Sequence, residues 1–393
     1  MKKYNNIERI RNRIDDLDLQ MLKLLSARGK LVQRIGGIKK KQGKQIRDPL
    51  REHAIIRGLS LNNLGPYSLE DVQLVFRDII RSSYALESRS GCDYDSGPTV
   101  EKKRSFRYNQ VVLVGVGLMG ASLARDLLKR GIAKKVIGLD SCPATLRYAK
   151  KNKIISDIAT DVPRTLATSD LVILATPVRA IVNQIQSLAA VIPPTTLVMD
   201  VGSTKTSIVK TADRCFIAGN FVACHPMTGR ALSGPHSSVE GLFEGKVCLI
   251  VPGNKNQKKF LEQAKGLWEK LGARVETVSV AQHDRWLALC SHLPQVLSFV
   301  LLRTAVKKIG LKALVKVAGP GFKEQVRLAG SDARMWTDIL LQNREHVLVQ
   351  LTAFIAELGR MEQLIQKTDE RKLFECLRNT ACLQRNLLTA FSR

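Results

Sequence analysis

Residues Val111 to Leu127 read V-V-L-V-G-V-G-L-M-G-A-S-L-A-R-D-L, an apolar run that meets three glycines and then continues at helical spacing. That order prescribes a strand, a tight turn and a helix. Gly115 permits the turn, Gly117 lets backbone approach a pyrophosphate, and Gly120 lets helix and strand pack closely. Leu118 and Met119 open the helix, whose N-terminus is suited to a dinucleotide's phosphates. A second apolar strand, Val136 to Leu139, ends in Asp140. An acid there is placed to bond a ribose 2′-hydroxyl and to repel a 2′-phosphate, which favours NAD over NADP.

Further strands recur downstream: Leu171-Val-Ile-Leu, Thr196-Leu-Val-Met-Asp-Val, Phe221-Val-Ala and Val247-Cys-Leu-Ile-Val, most of them separated by helical segments. This alternation is the doubly wound α/β pattern, in which ligands sit at the carboxyl ends of strands. Thr176, the run Gly202-Ser203-Thr204-Lys205 and His225-Pro226 all fall at such ends. From about residue 281 onward the periodicity is helical.

At 393 residues with 45% hydrophobic content the chain has room for two or three domains with real cores. The longest apolar stretches, such as Val296 to Val306, are interrupted by Arg303 and fall short of the roughly 20 residues a membrane span needs. The first residues lead into a charged helix without a signal peptide's apolar core, so a cytoplasmic protein is expected. Eight cysteines without a C-x-x-C pair support neither a zinc site nor a disulfide framework. A net charge of +27 points either to nucleic acid or to anionic small molecules guided into basic sites. No Lys/Arg tail and no basic segment interleaved with aromatics is present, which places nucleic acid second.

Ahead of the glycine turn lies a different pattern. Ile7, Ile10, Ile14, Leu17, Met21, Leu24, Leu25, Val32 and Ile35 recur at three- and four-residue steps, predicting one helix to about Lys41, on the order of 50 Å long. No single core is that long, so packing against a second copy is expected. Arg28 and Lys39 fall inside the apolar stripe, about 16 Å apart along the axis. Buried unpaired cations are costly, so these two need an anionic partner, from the protein or from a ligand. Arg11, about 25 Å before Arg28, cannot serve the same ligand within one chain, but could serve a site in a partner subunit. Asp48 as N-cap and Pro49 start a second helix carrying Arg51 and Glu52. A third runs from about Ser68 to Glu87.

Residues 7–87 resemble the all-helical class of chorismate mutases, matching its motif at Arg11, Arg28, Lys39, Asp48, Arg51, Glu52 and Ser83. The resemblance implies two chains with interlocked long helices, Arg11 crossing to the neighbour's site. It also implies that Lys39 and residue 87 hydrogen-bond the ether oxygen of chorismate. The family commonly has glutamine where this chain has Glu87, and a glutamate donates only when protonated, so mutase activity is expected to fall as pH rises through the Glu87 pKa. The chemistry needs no nucleophile, only a folded conformer and positive charge at the breaking C–O bond.

D-V-G-S-T-K, followed by His225-Pro-Met-Thr-Gly, Ser233-Gly and Phe243-Glu-Gly, resembles the prephenate dehydrogenase family. There the histidine matched by His225 accepts a hydrogen bond from the substrate's ring hydroxyl. The serine matched by Ser203 sits between that hydroxyl and the nicotinamide. Ser291-His292-Leu-Pro-Gln295 matches a further motif, with Gln295 where the family often has a second histidine. Arg327 aligns with the arginine that binds the substrate carboxylate, with Lys323-Glu324 in place of the family's Arg-Asp pair. An acid frequent in the family is replaced by Arg230-Ala231-Leu232. Lys205 and Trp336 are further substrate-site candidates, although Trp336 and His283 have even claims to a packing role.

The plan expected is therefore multidomain: an all-α mutase-like domain (1–88), a linker (89–108), an α/β Rossmann-type NAD domain (109–280) and an all-α substrate and dimerisation domain (281–393). The resemblances imply rearrangement of chorismate to prephenate, then NAD-dependent oxidative decarboxylation of prephenate to 4-hydroxyphenylpyruvate, in a homodimer without metal, membrane or nucleic acid. Two other readings stand beside this one. Arogenate is the rival substrate, and a basic dinucleotide-sensing regulator that binds nucleic acid is the rival class.

Overall fold

The structure, a computed structural model, describes residues 4–42, a discontinuous set of positions between 51 and 84, and residues 108–228 and 234–391. Asp48, Glu52, Glu87, the linker up to residue 107 and Arg230–Leu232 lie outside the described residues. The chain parts into two compact units, Met1–Lys103 and Arg104–Arg393.

In the first unit, helix α1 (Tyr4–Lys41) realises the long apolar period. Its stripe is largely uncovered within one chain: Ile10, Ile14, Leu17, Met21, Leu24, Leu25 and Ile35 are 41–70% exposed, and Val32 is buried. A helix that leaves so much apolar surface in water is stable only when another surface covers it.

The second unit is built on an eight-stranded sheet of order β3-β2-β1-β4-β5-β6-β7-β8. Its strands are β1 (Tyr108–Val114), β2 (Ala133–Leu139), β3 (Asp157–Ile158), β4 (Leu171–Leu174), β5 (Leu197–Asp200), β6 (Phe221–Pro226), β7 (Val247–Val251) and β8 (Arg274–Thr277). All neighbours are parallel except β6 and β7. Alternate side chains of the apolar strands supply two cores. Leu113, Val136, Ile173, Met199 and Val222 face one side, with Leu123 and Leu127 of α2 (Leu118–Lys129) and Leu267 and Trp268 of α7 (Lys258–Lys270). Val112, Val114, Val172, Leu174 and Val198 face the other. That side is covered by Ile181 and Ile185 of α5 (Val178–Leu188) and Ile208 of α6 (Thr206–Cys215). At roughly 1.5–3 kcal/mol for each large apolar side chain removed from water, these two layers hold the sheet between its helices. Helices α3 (Pro143–Lys151) and α4 (Val162–Ala167) complete the crossovers.

After β8 the chain is helical. Ser279 and Gln282 form a reciprocal capping box that starts α8 (Val280–Leu287). A π-helical turn, Ala288–His292, joins it to α9 (Leu293–Val317). Then come α10 (Pro320–Val326), a 3-10 turn (Arg327–Gly330), α11 (Ala333–Gln342), α12 (Arg344–Gln366) and α13 (Glu370–Phe391). The expectation that no stretch matches a membrane span in length is corrected here. The run Val280–Val317 meets that length and composition, because Arg303 interrupts the pattern without ending the helix, but its backbone is kinked at Gly310, whose φ of +73° and ψ of 156° are not helical. Its buried residues include His283, Asp284, His292, Gln295 and Ser298, so part of its inward face is polar.

Candidate functional site

The sheet reverses its strand order between β1 and β4, and the loops following these strands open a crevice there. A cavity of about 550 Å3 lies at this point. It is lined by Gly117–Met119 after β1, Ala175–Val178 after β4, Val201–Ser203 after β5 and His225–Thr228 at the end of β6. His292, Ser331, Asp332 and Trp336 line it from the helical part. Six residues expected from sequence to share a ligand region, Gly117, Thr176, Ser203, His225, His292 and Trp336, thus meet around one space.

The three glycines differ in their local geometry. Gly115 has φ +94°, and a Cβ on it would lie 2.6 Å from the Ala175 carbonyl oxygen. On Gly120 a Cβ would lie 2.0 Å from the Gly115 oxygen, whereas on Gly117 it would meet nothing within 4 Å. So Gly117 faces open space at the N-terminus of α2, which has no side-chain cap. An uncapped helix N-terminus with a bare backbone beside it is what a pyrophosphate requires. Asp140 Oδ2 accepts from the Val116 amide at 2.8 Å and Oδ1 from the Cys142 amide at 2.9 Å. The acid, which directly follows β2, therefore braces the glycine turn. Thr176 Oγ1 donates to Gln184 Oε1 at 2.7 Å.

His225 projects from β6, whose six residues are all buried. Its Nδ1 is 2.9 Å from His283 Nε2, and His283 Nδ1 is 2.7 Å from Asp284 Oδ1. Asp284 also accepts from the Lys205 amide at 2.9 Å, and from the Thr206 amide and hydroxyl at 2.8 and 2.5 Å. Burial pulls Asp284 toward the neutral form, but the bonds from His283 and Thr206 outweigh it and hold the acid well below the usual carboxylate range. Burial, with His283 and Lys205 nearby, keeps His225 neutral, its pKa far below the ordinary histidine value. Burial likewise pushes His292 down to about 4. The Trp336 ring meets His292 edge-on, with centroids 6.0 Å apart, and Asn343 Nδ2 lies 3.1 Å from His292 Nδ1 while donating to the Asp284 carbonyl at 2.7 Å. These contacts join α8, the π turn, α11 and α12 into one frame around His225.

Lys205 requires a correction. Expected to touch substrate, it is fully buried, and its Nζ lies 2.5 Å from Asp200 Oδ2. Asp200 also accepts from the Gly202 and Cys224 amides, at 2.7 and 3.3 Å. The lysine is spent on an internal ion pair that fixes the turn carrying Ser203, because a buried cation is tolerated only beside an anion. Arg327 opens the 3-10 turn, is exposed and has no ion pair among the described residues; it does not line the cavity, although Ser331, four residues on, does. Gln295 donates to the Leu328 carbonyl at 2.6 Å, tying α9 to that turn. No Lys or Arg lines the cavity among the described residues.

In the first unit, Arg28 is half-buried and its guanidinium donates to Ser83 Oγ, which in turn donates to the Ile79 carbonyl at 2.7 Å. Two of the motif residues are therefore brought together. Lys39 is half-buried, and Arg11 and Arg51 are exposed. Sequence reasoning missed Asp200, Asp284 as an anchor, and Asn343. Asp200 stands in the D-V-G-S-T-K run and Asp284 in Ala281-Gln-His-Asp, but for Asn343 the only signal was polarity.

Comparison with known proteins gives three family matches: chorismate mutase type II over residues 10–88, the nucleotide-binding domain of prephenate dehydrogenase over 123–277, and the prephenate dehydrogenase dimerization domain over 279–379. Prephenate dehydrogenase of Bacillus subtilis is 33% identical over 267 residues, 67% of this chain and 72% of that protein. The T-protein of Enterobacter agglomerans is 24% identical over 374 residues, 92% of this chain and 88% of its own. Among solved structures, prephenate dehydrogenase from A. aeolicus, in complex with hydroxyphenyl propionate and NAD+, superposes with a TM-score of 0.68 at 32% identity, covering 72% of this chain and 99% of that one.

Proposed function

Since the chain belongs to the prephenate dehydrogenase family and carries a type II chorismate mutase domain ahead of it, it is a bifunctional enzyme of tyrosine biosynthesis, for which we propose the following assignment of residues. Chorismate is rearranged to prephenate in the helical unit, and prephenate is oxidised and decarboxylated to 4-hydroxyphenylpyruvate in the second. NAD, when bound, supplies the hydride acceptor. Gly117, Leu118, Met119, Asp140 and Thr176 would hold it, and Gly115 and Gly120 shape the turn that does so.

His225 accepts a hydrogen bond from the ring hydroxyl through Nε2, the nitrogen that His283 leaves free. As the ring carbon is oxidised, positive character grows on that hydroxyl, and a neutral buried imidazole stabilises it without needing deprotonation first. Ser203 sits between that hydroxyl and the nicotinamide, and loss of CO2 is drawn forward by aromatisation. His292 and Trp336 pack the substrate's far side, and Arg327 supplies the cation for its side-chain carboxylate. In the mutase unit Arg28, with Ser83 behind it, Lys39 and Arg51 hold chorismate's carboxylates and ether oxygen. Asp48, Glu52 and Glu87 complete that site, and Arg11 is delivered from a partner chain. We infer the domain plan 1–88, 89–108, 109–280 and 281–393, a homodimer in the cytoplasm, and small-molecule substrates with neither nucleic acid nor membrane as partner.

The observation that carries the dehydrogenase assignment is His225, buried and cavity-lining at a strand end beside the glycine turn. Supplying chorismate and NAD to the purified protein should generate NADH absorbance. Prephenate and arogenate compared by kcat/KM decide the second substrate, and reduced cofactor from neither would remove the assignment. Salt-sensitive DNA binding without chorismate-dependent NADH would favour the regulator instead.

A further inference from the structure

We propose that His283 and Asp284 are positioning residues that hold His225 in the one tautomer able to accept the substrate's hydroxyl hydrogen bond, an inference that rests on the dehydrogenase reading above. Asp284, His283 and His225 form an unbroken buried line, with 2.7 Å between the first pair and 2.9 Å between the second.

The proton positions along this line follow from the chemistry of its far end. Asp284 receives the Lys205 amide and the Thr206 amide and hydroxyl, so both its oxygens are engaged as acceptors. A carboxylate cannot donate, so the hydrogen between Asp284 and His283 belongs to His283 Nδ1. His283 is fully buried, and burial opposes a second proton on its ring. Its Nε2 therefore carries a lone pair, and only a donor can face it at 2.9 Å. That donor is His225 Nδ1–H, which leaves a lone pair on His225 Nε2. The charged and titratable groups acting on His283 are Asp284, Lys205 and Asp200, with His225 on the other side. Asn343 holds the carbonyl of Asp284, so the junction between α11 and α12 fixes the anchor from behind.

If His283 were protonated or absent, nothing would select between the two neutral forms of His225. The Nε2–H form would present a donor to a hydroxyl whose proton needs an acceptor. In a comparable relay, loss of tautomer control costs about 10,000-fold in turnover. Here no full proton transfer is required, so a loss of about 100-fold is expected.

The test compares His283→Leu, which fills the space without an acceptor, with His283→Gln, whose amide oxygen can accept from His225 Nδ1–H. The parent must first show prephenate- or arogenate-dependent NADH formation; failure there removes the dehydrogenase reading, and this inference with it. In H283L kcat should fall about 100-fold with both KM values within about threefold, and H283Q should recover at least about tenfold of the loss. Nitrogen-15 spectra of the histidines should show His225 as the Nδ1–H form in the parent and as a mixture in H283L. Parental kcat in H283L, equal losses in both variants, or an Nε2–H form in the parent would overturn the proposal. Should H283L fail to fold, the parent spectrum and H283Q still decide it: an Nε2–H form, or H283Q as impaired as about 100-fold, refutes it.

Discussion

Two alanine substitutions three residues apart should produce opposite defects. Gly117 sits at backbone angles open to any residue, φ −73° and ψ −161°, and a methyl group there meets nothing within 4 Å. Replacing glycine by alanine at a compatible position stabilises a fold by about 0.4–1 kcal/mol through the unfolded chain, so Gly117→Ala should melt no lower than the parent. The added methyl occupies the space a pyrophosphate must enter, so KM for NAD should rise at least about tenfold, about 1.4 kcal/mol, with KM for prephenate little changed. On Gly120 the methyl would lie 2.0 Å from the Gly115 oxygen, which is backbone and cannot rotate away. The helix must retreat by over about 1 Å, an overpacking cost of about 1–3 kcal/mol. In a unit of this size that is a melting-temperature loss of roughly 2–12 °C. Thermal melts and NAD saturation curves of both variants provide the check. A destabilised Gly117→Ala with unchanged KM, or a Gly120→Ala as stable as the parent, would show that the glycines have been assigned the wrong tasks.

Further outcomes are expected elsewhere. His225→Asn should abolish dehydrogenase turnover and leave mutase turnover intact; assays of both activities on one preparation test this, and joint loss would argue against separate sites. Lys205→Met strands the Asp200 carboxylate in the core and should cost about 3–5 kcal/mol in urea unfolding, while Lys205→Met with Asp200→Asn should recover much of it. Burial lowers the folded-state pKa of His225, His283 and His292, so each takes up its proton more readily when unfolded. Stability should therefore hold above about pH 6.5 and decline as pH falls from there toward about 4, with His292 alone accounting for about 3 kcal/mol. Denaturation at pH 7 and pH 4.5, with His292→Gln losing less on acidification, measures it. Arg28→Ala should depress mutase kcat at least about tenfold, since it removes a cation, and Ser83→Ala should do so less.

The glycine turn, the sheet's central strands and the strand-end positions of Thr176, Ser203 and His225 were legible because each rests on local pattern: an apolar run, a turn residue, a strand terminus. Strand β3 was not, since two residues carry no period, nor β8, whose Arg274-Val-Glu-Thr sequence is mostly exposed and polar. Lys205 was misread for a related reason. A lysine after a strand looks like an anion-binding group until its partner is known, and Asp200, five residues earlier, reads from sequence as one more strand-end acid. His283 was left undecided because nothing in the chain between residues 225 and 283 says that the two rings will touch. Pairings between distant segments are settled by packing, which the linear pattern does not carry.

The single π-helical turn, Ala288–His292, changes the phase of everything after it. Along an ideal α-helix, nine residues sweep about 900°, which would set His292 on the side opposite His283. A wider turn of lower twist takes back part of that rotation, so that His292 lines the cavity while His283, one level away on what is nearly one rod, stands behind His225. The cavity is thus tuned by winding number: a residue removed between 288 and 292 would leave the helix continuous, yet turn His292 away from the cavity it lines and Gln295 away from the Leu328 carbonyl it holds.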